Sequence, residues 1–181
     1  MSETGERTYP AREHHASVQL DGIRIMPAFR IVGIDHEQFE PLFQLTDREL
    51  EAKGAMRRVA TESPGFPCRI SLEEAELGDE LLLLPFLHQP AASPYRASGP
   101  IFVRRGARQR TLAAGIVPAC VSRRLMSVRA YDAEHMIVAA AVCEGLVVAS
   151  DIERHFADDC VAYIHLHNAK RGCFSCRVDR A

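Results

Sequence analysis

Residues 160–178 read CVAYIHLHNAKRGCFSCRV, two alternating runs joined by a short polar link. In the first run the even positions Cys160, Ala162, Ile164 and Leu166 are small or apolar, and the odd positions are Val161, Tyr163, His165 and His167. Side chains on a strand point alternately to opposite faces, so one face belongs to a core and the other displays a phenol and two imidazoles. In the second run Phe174, Cys176 and Val178 are the apolar set, alternating with Cys173, Ser175 and Arg177. The link contains Asn168 and Gly172, residue types that accept the unusual dihedrals of a hairpin. Matching core face to core face fixes the parity of the register, because a one-residue slip would turn every side chain over. The simplest register sets Cys173 opposite His167, Ser175 opposite His165 and Arg177 opposite Tyr163. A thiol, two imidazoles, a phenol and a guanidinium then share one face.

The same period of two recurs upstream. Residues 125–131 place Met126, Val128 and Ala130 inward and Ser127, Arg129 and Tyr131 on the other side. Further strands are expected at 29–34, 56–60, 67–70, 81–87, 100–104 and 136–143. Asp21-Gly22 between apolar pairs is a tight-hairpin signal. Thr46 followed by Glu49 is a capping-box signature ahead of a helix over 47–53, with Gly54 as its stop. The same start signal occurs at Ser71/Glu74 and at Ser150/Glu153, and the segment after Glu37 reads as a short helical turn limited by Pro41. Many strands with a few short helices make an α+β domain around a largely antiparallel sheet.

One internal stretch is irregular in composition. Residues 88–105, HQPAASPYRASGPIFVRR, hold Pro90, Pro94, Gly99 and Pro100, which exclude helix and predict a loop pinned between the apolar runs 81–87 and 101–103. Loops held in this way commonly carry binding groups, and this one offers His88, Gln89, Ser93, Tyr95, Arg96 and Ser98.

Composition bounds the class of function. With 181 residues, 47% hydrophobic and 25% charged, the chain is long enough for one domain with a sizeable core. We expect that domain over 17–181, preceded by a polar, mobile and dispensable extension at 1–16. The net charge of −2 provides no field to recruit nucleic acid or an acidic membrane. Arg104, Arg105, Arg108 and Arg110 form the nearest approach to a basic patch, but no aromatic residues interleave with them. No apolar run reaches the length of a membrane span and no signal-peptide core opens the chain, so a cytoplasmic location is expected. Six cysteines lack a dense spacing pattern, which fits reduced thiols.

Three chemistries compete for the polar face of the terminal hairpin. A zinc site could draw on His165-x-His167, one more ligand, or Cys173-x-x-Cys176. Parity opposes the cysteine version, since Cys173 and Cys176 point to opposite sides of a regular strand, and it predicts no stoichiometric zinc. A nucleophilic pair of Cys173 with His167, seconded by His165, would use Arg177 or Arg129 for a developing negative charge. A binding pocket without chemistry would hold a small polar or anionic molecule with His88, Ser93, Tyr95, Arg96, Arg129, Tyr131, Asn168 and Arg177. The bland alternative is a structural or interaction module in which these side chains are packed and hydrogen-bonded. Cys68 next to Arg69 is a weaker thiol candidate, while His135 and His155 read as surface residues. No phosphate loop, dinucleotide fingerprint, nucleophile elbow or metal-binding helix occurs, so no cofactor is expected. Oligomeric state is not legible.

The segments PGFPCRISLEEAELGDELLLLPF (64–86), HQPAASPYRASGPIFVR (88–104), RAYDAEHMIVAA (129–140) and VAYIHLHNAKRGCF (161–174) together resemble the bacterial family catalogued as domain of unknown function 1203. The resemblance extends from about Phe29 to the C-terminus. It implies that His88, Tyr95, Arg96, Tyr131, His165, His167, Asn168 and Cys173 are characteristic positions, and it implies no role for them.

Overall fold

The computed structural model describes residues 28–181, so the expected extension at 1–16 and the Asp21-Gly22 hairpin lie outside the described residues. In chain order the elements are β1 (Phe29–Val32), α1 (Asp47–Ala52), β2 (Met56–Val59), β3 (Glu80–Gln89), β4 (Ala97–Arg104), α2 (Ala119–Ser122), β5 (Leu125–Tyr131), β6 (Ile137–Glu144), α3 (Val148–Phe156), β7 (Tyr163–Asn168) and β8 (Phe174–Arg180). The strands form two sheets, one of five strands in the order β1-β8-β7-β5-β6 and one of three in the order β2-β3-β4. Every pairing between these strands is antiparallel. The architecture is α+β, as expected, with the strands divided between two sheets. No helix among the described residues is long and apolar enough to cross a membrane.

The larger sheet has two buried faces. On one, Met126, Val128 and Ala130 of β5, Ile164 and Leu166 of β7 and Cys176 and Val178 of β8 pack with Val148, Ile152 and Phe156 of α3. The period-two reading assigns this face correctly for β5, for Ile164 and Leu166 of β7 and for Cys176 and Val178 of β8; it fails before β7 begins, where Cys160 and Ala162 are exposed and Val161 joins this core, and at Phe174, which belongs to the other. On the other face lies a second core, in which Phe174 meets Leu82 and Leu84 of β3 and Ile101 and Val103 of β4. Leu82, Leu84, Phe86 and His88 form one alternating row along β3, so the row that builds this core ends on an imidazole. Arg69, 4% exposed, ties the sheets together by donating from Nε to the carbonyl of Phe174 at 2.9 Å.

Several local expectations are corrected. The helix predicted from Ser71/Glu74 is absent: Leu72 holds φ 57°, outside the helical region, while Pro67 bridges to Glu74 and folds the segment into a tight turn. Residues 67–70 likewise form no strand, contributing only isolated bridges, including Cys68 to Phe102. The helix expected to start after Ser150 begins at Val148, so Ser150 lies inside it, and its first turn has no side-chain cap. By contrast α1 carries the full capping box, Glu49 N–H donating to Thr46 Oγ1 and the Thr46 N–H to Glu49 Oε2. The stretch 88–105 is mostly strand, and the irregular part shrinks to 90–96. Pro100 is accommodated because β4 is an edge strand, where a missing N–H breaks no ladder on its open side.

Candidate functional site

The register of the terminal hairpin decides what shares the inter-sheet face. Tyr163 pairs with Asp179, His165 with Arg177 and Leu166 with Cys176, but His167 pairs with Phe174. From Tyr163 to Leu166 the ladder runs two residues out of the expected register, which keeps its parity; Ser175 is then an extra residue, and this bulge changes the parity at His167 and turns Phe174 off the α3 core onto the histidine face. Cys173 is not opposite His167, correcting the expected pair. It lies in the turn before β8, half-buried, and its Sγ is 3.9 Å from the Arg171 carbonyl. His167 instead directs Nδ1 to the Gly172 carbonyl at 2.9 Å, so that nitrogen carries the donated proton. Gly172, at φ 73°, occupies the left-handed conformation that the turn requires.

Three imidazoles converge at this point. His88 comes from β3 and stacks on Phe174, with centroids 5.1 Å apart and planes within 2°. Its ring meets that of His167 edge to face at 4.9 Å and that of His165 at 6.1 Å. His165 and His167 are 2% and 1% exposed. One ring nitrogen from each of the three lies within 4.8 Å of the others. Nδ1 of His88, Nδ1 of His165 and Nε2 of His167 are buried with no hydrogen-bond partner among the described residues. An unsatisfied buried polar group costs about 1–3 kcal/mol, so three in one place are a costly arrangement for a merely packed cluster.

The electrostatics keep these rings neutral. Burial pushes His165 down to about 3, aided by His167, His88, Arg177 and Arg129 nearby. Burial likewise lowers His167 to about 4, against the opposing hydrogen bond to Gly172, and it lowers His88 with help from Arg129. The rings therefore present lone pairs rather than positive charge at neutral pH.

A phenol network continues the row. Tyr131 stacks on Tyr163 with centroids 5.0 Å apart, and lies 5.0 Å from His165. The Tyr163 hydroxyl accepts from Gln89 Nε2 at 2.7 Å and sits 2.9 Å from His135 Nδ1. His135 is therefore a half-buried member of this network rather than a surface residue. Neither it nor Gln89 stands out by alternation, since each is brought in by a turn or by the opposite sheet. Tyr95 reaches the edge of Tyr131 at 6.3 Å, and Ser93 Oγ donates to the His135 carbonyl at 3.2 Å. Arg96 turns back to the Pro90 carbonyl and is exposed, fastening its own loop. Asn168, at the end of β7, anchors the hairpin through its backbone to Cys173.

Beside the histidines opens a cavity of about 380 Å³, whose lining includes His88, His165, Phe174, Arg177, Asp179 and Gln109. Arg177 lies over the Tyr163 ring at 4.0 Å and pairs with Asp179 at 2.8 Å. Gly33 also lines it: a Cβ there would fall 1.8 Å from the Ile70 carbonyl oxygen, so only glycine lets the two backbones approach so closely. Of the residues expected at the site, His88, His165 and Arg177 line this cavity, whereas Ser93, Tyr95, Arg96, Arg129, Tyr131, His167, Asn168 and Cys173 are not part of its lining.

No curated protein and no solved structure matches the chain. Residues 65–180 match the family described as Protein of unknown function (DUF1203), a later start than the Phe29 expected from the resemblance. Because that match spans well over half of the chain and takes in β3 through β8 with all three converging histidines, the chain belongs to this family.

Proposed function

We propose that the protein binds a small polar molecule carrying an anionic group in the cavity between the sheets. The observation that carries this reading is the shared wall of His88, His165 and Arg177, which sets neutral imidazoles beside a guanidinium in a space of about 380 Å³. A guanidinium supplies paired donors for a carboxylate or phosphate. Two features favour binding over thiol catalysis: Cys173 lies outside the cavity lining, and the residue opposite His167 is Phe174 rather than Cys173. A small ligand is also favoured over nucleic acid, because the net charge of −2 provides no attractive field for a polyanion. The six free thiols suit a reducing compartment, and we place the protein in the cytoplasm.

The reading is tested by titrating the full chain with inorganic phosphate and with citrate while following backbone amide shifts. Saturable shifts are expected around His88, His165 and Arg177, and Arg177→Gln should weaken binding about tenfold, the loss of one charge-assisted contact. Binding of both probes that is unchanged by Arg177→Gln, or no binding of either, would overturn it.

A further inference from the structure

We propose that His88, His165 and His167 form a binding site for a divalent first-row transition metal, with zinc as the fitting ion. The inference goes beyond the anion reading and does not depend on it. The three donors come from two separate sheets, two of them from alternate positions on β7 and the third from the end of the inward row of β3. Packing alone would account for stacked rings, as between His88 and Phe174. It gives no reason for each of the three rings to bury a nitrogen without a partner, nor for ring nitrogens of all three to lie within 4.8 Å of one another.

Two further features match what a metal needs. A ligating histidine commonly donates its other ring N–H to a carbonyl or carboxylate, which fixes the ring and leaves the second nitrogen free; His167 does so, through Nδ1 to Gly172, leaving Nε2. Distance fits as well. Zinc–nitrogen bonds of about 2.0–2.1 Å in tetrahedral geometry set donors roughly 3.4 Å apart. Nitrogens already within 4.8 Å of one another need only about 1 Å of side-chain adjustment to reach that spacing.

The donor set also selects the ion. The cluster consists of three imidazoles without a carboxylate. Imidazole nitrogen suits zinc, copper, iron and nickel, whereas magnesium and calcium want oxygen. Three protein ligands leave a tetrahedral ion one position open, as catalytic zinc centres do. Since His88 and His165 are the two ligands that line the cavity, that position is available to whatever enters it.

The test uses the full chain, stripped with a chelator and dialysed, then titrated calorimetrically with Zn²⁺ and followed in parallel by the visible spectrum of added Co²⁺. One equivalent of each ion is expected, with a tetrahedral-type Co²⁺ spectrum and a higher melting temperature on Zn²⁺ addition. His165→Gln and His167→Gln should each weaken binding by at least about 100-fold, the upper range for disturbing a metal's supporting shell. Should either buried variant fail to fold, His88→Gln at the half-buried position gives the same reading, checked by circular dichroism. Cys173→Ser should keep full stoichiometry. The proposal is overturned if the wild type takes up no stoichiometric metal, if His88→Gln and His165→Gln bind as the wild type does, or if Cys173→Ser abolishes binding. Because no anion is added, failure here is separable from failure of phosphate or citrate to bind.

Discussion

At the scale of the residue, the neutral histidines dictate how stability depends on pH. His165 and His167 have folded-state values pushed down to about 3 and about 4 from the ordinary 6.5. Between those values and 6.5 the unfolded chain binds protons that the folded metal-free chain does not, so acid favours unfolding. Above 6.5 the rings are neutral in both states and contribute no pH dependence. Each histidine then costs about 1.4 kcal/mol per pH unit below 6.5, or roughly 2 kcal/mol at pH 5. Urea melts of chelated protein across pH 7 to 5 should show this loss of stability, and His165→Gln should reduce the slope without abolishing it, because His167, His88 and His155 are also held below their ordinary value by burial. An unchanged slope in the variant would mean that the ring is not buried as described.

At the scale of the element, the caps and the bulge differ in how they are written. α1 is only six residues long, too short to persist by propensity, so its capping box is a large part of what holds it. Thr46→Ala should destabilise the protein by about 1 kcal/mol, measured as a lower denaturant midpoint at constant slope. Restoration by Thr46→Ser but not by Thr46→Val would identify the hydroxyl as the cause. The bulge at Ser175 has no comparable signature: no glycine marks it, and alternation through 173–178 runs on as though the strand were regular.

At the scale of the molecule, Phe174 couples the two sheets. Its ring stacks on His88, lies 6.1 Å from Phe86 and 5.6 Å from His167, and its carbonyl receives Arg69. Phe174→Ala should therefore cost about 3–5 kcal/mol, by loss of buried area and creation of a cavity. It should also free the His88 ring, visible as averaged imidazole resonances. Phe174→Leu should recover part of the stability without the stacking. A loss below 1 kcal/mol in Phe174→Ala would show that the sheets hold together without it.

Period-two alternation in 125–131 and 163–167 was sufficient to determine strands, their core face and the pairing parity of the regular part of the hairpin, because burial on one side makes any odd slip expensive. The Thr46–Glu49 pair determined a helix start, since a cap is satisfied within four residues. Legible too were His165 and His167 as neighbours on one face, since i and i+2 on a strand cannot avoid it. What the tertiary structure decided was everything that required a second chain segment. His88 reads as a loop residue until β3 is extended through Gln89 by pairing with β4. Cys173 reads as the partner of His167 until a two-residue change of register and the bulge at Ser175 together set Phe174 there. The polar face of the hairpin reads as open until the second sheet covers it, and that covering brings the third imidazole within reach of the other two. Local rules fix which way a side chain points along its own strand. Only packing between sheets fixes what stands opposite, because that choice is made by the burial of surfaces far apart in sequence.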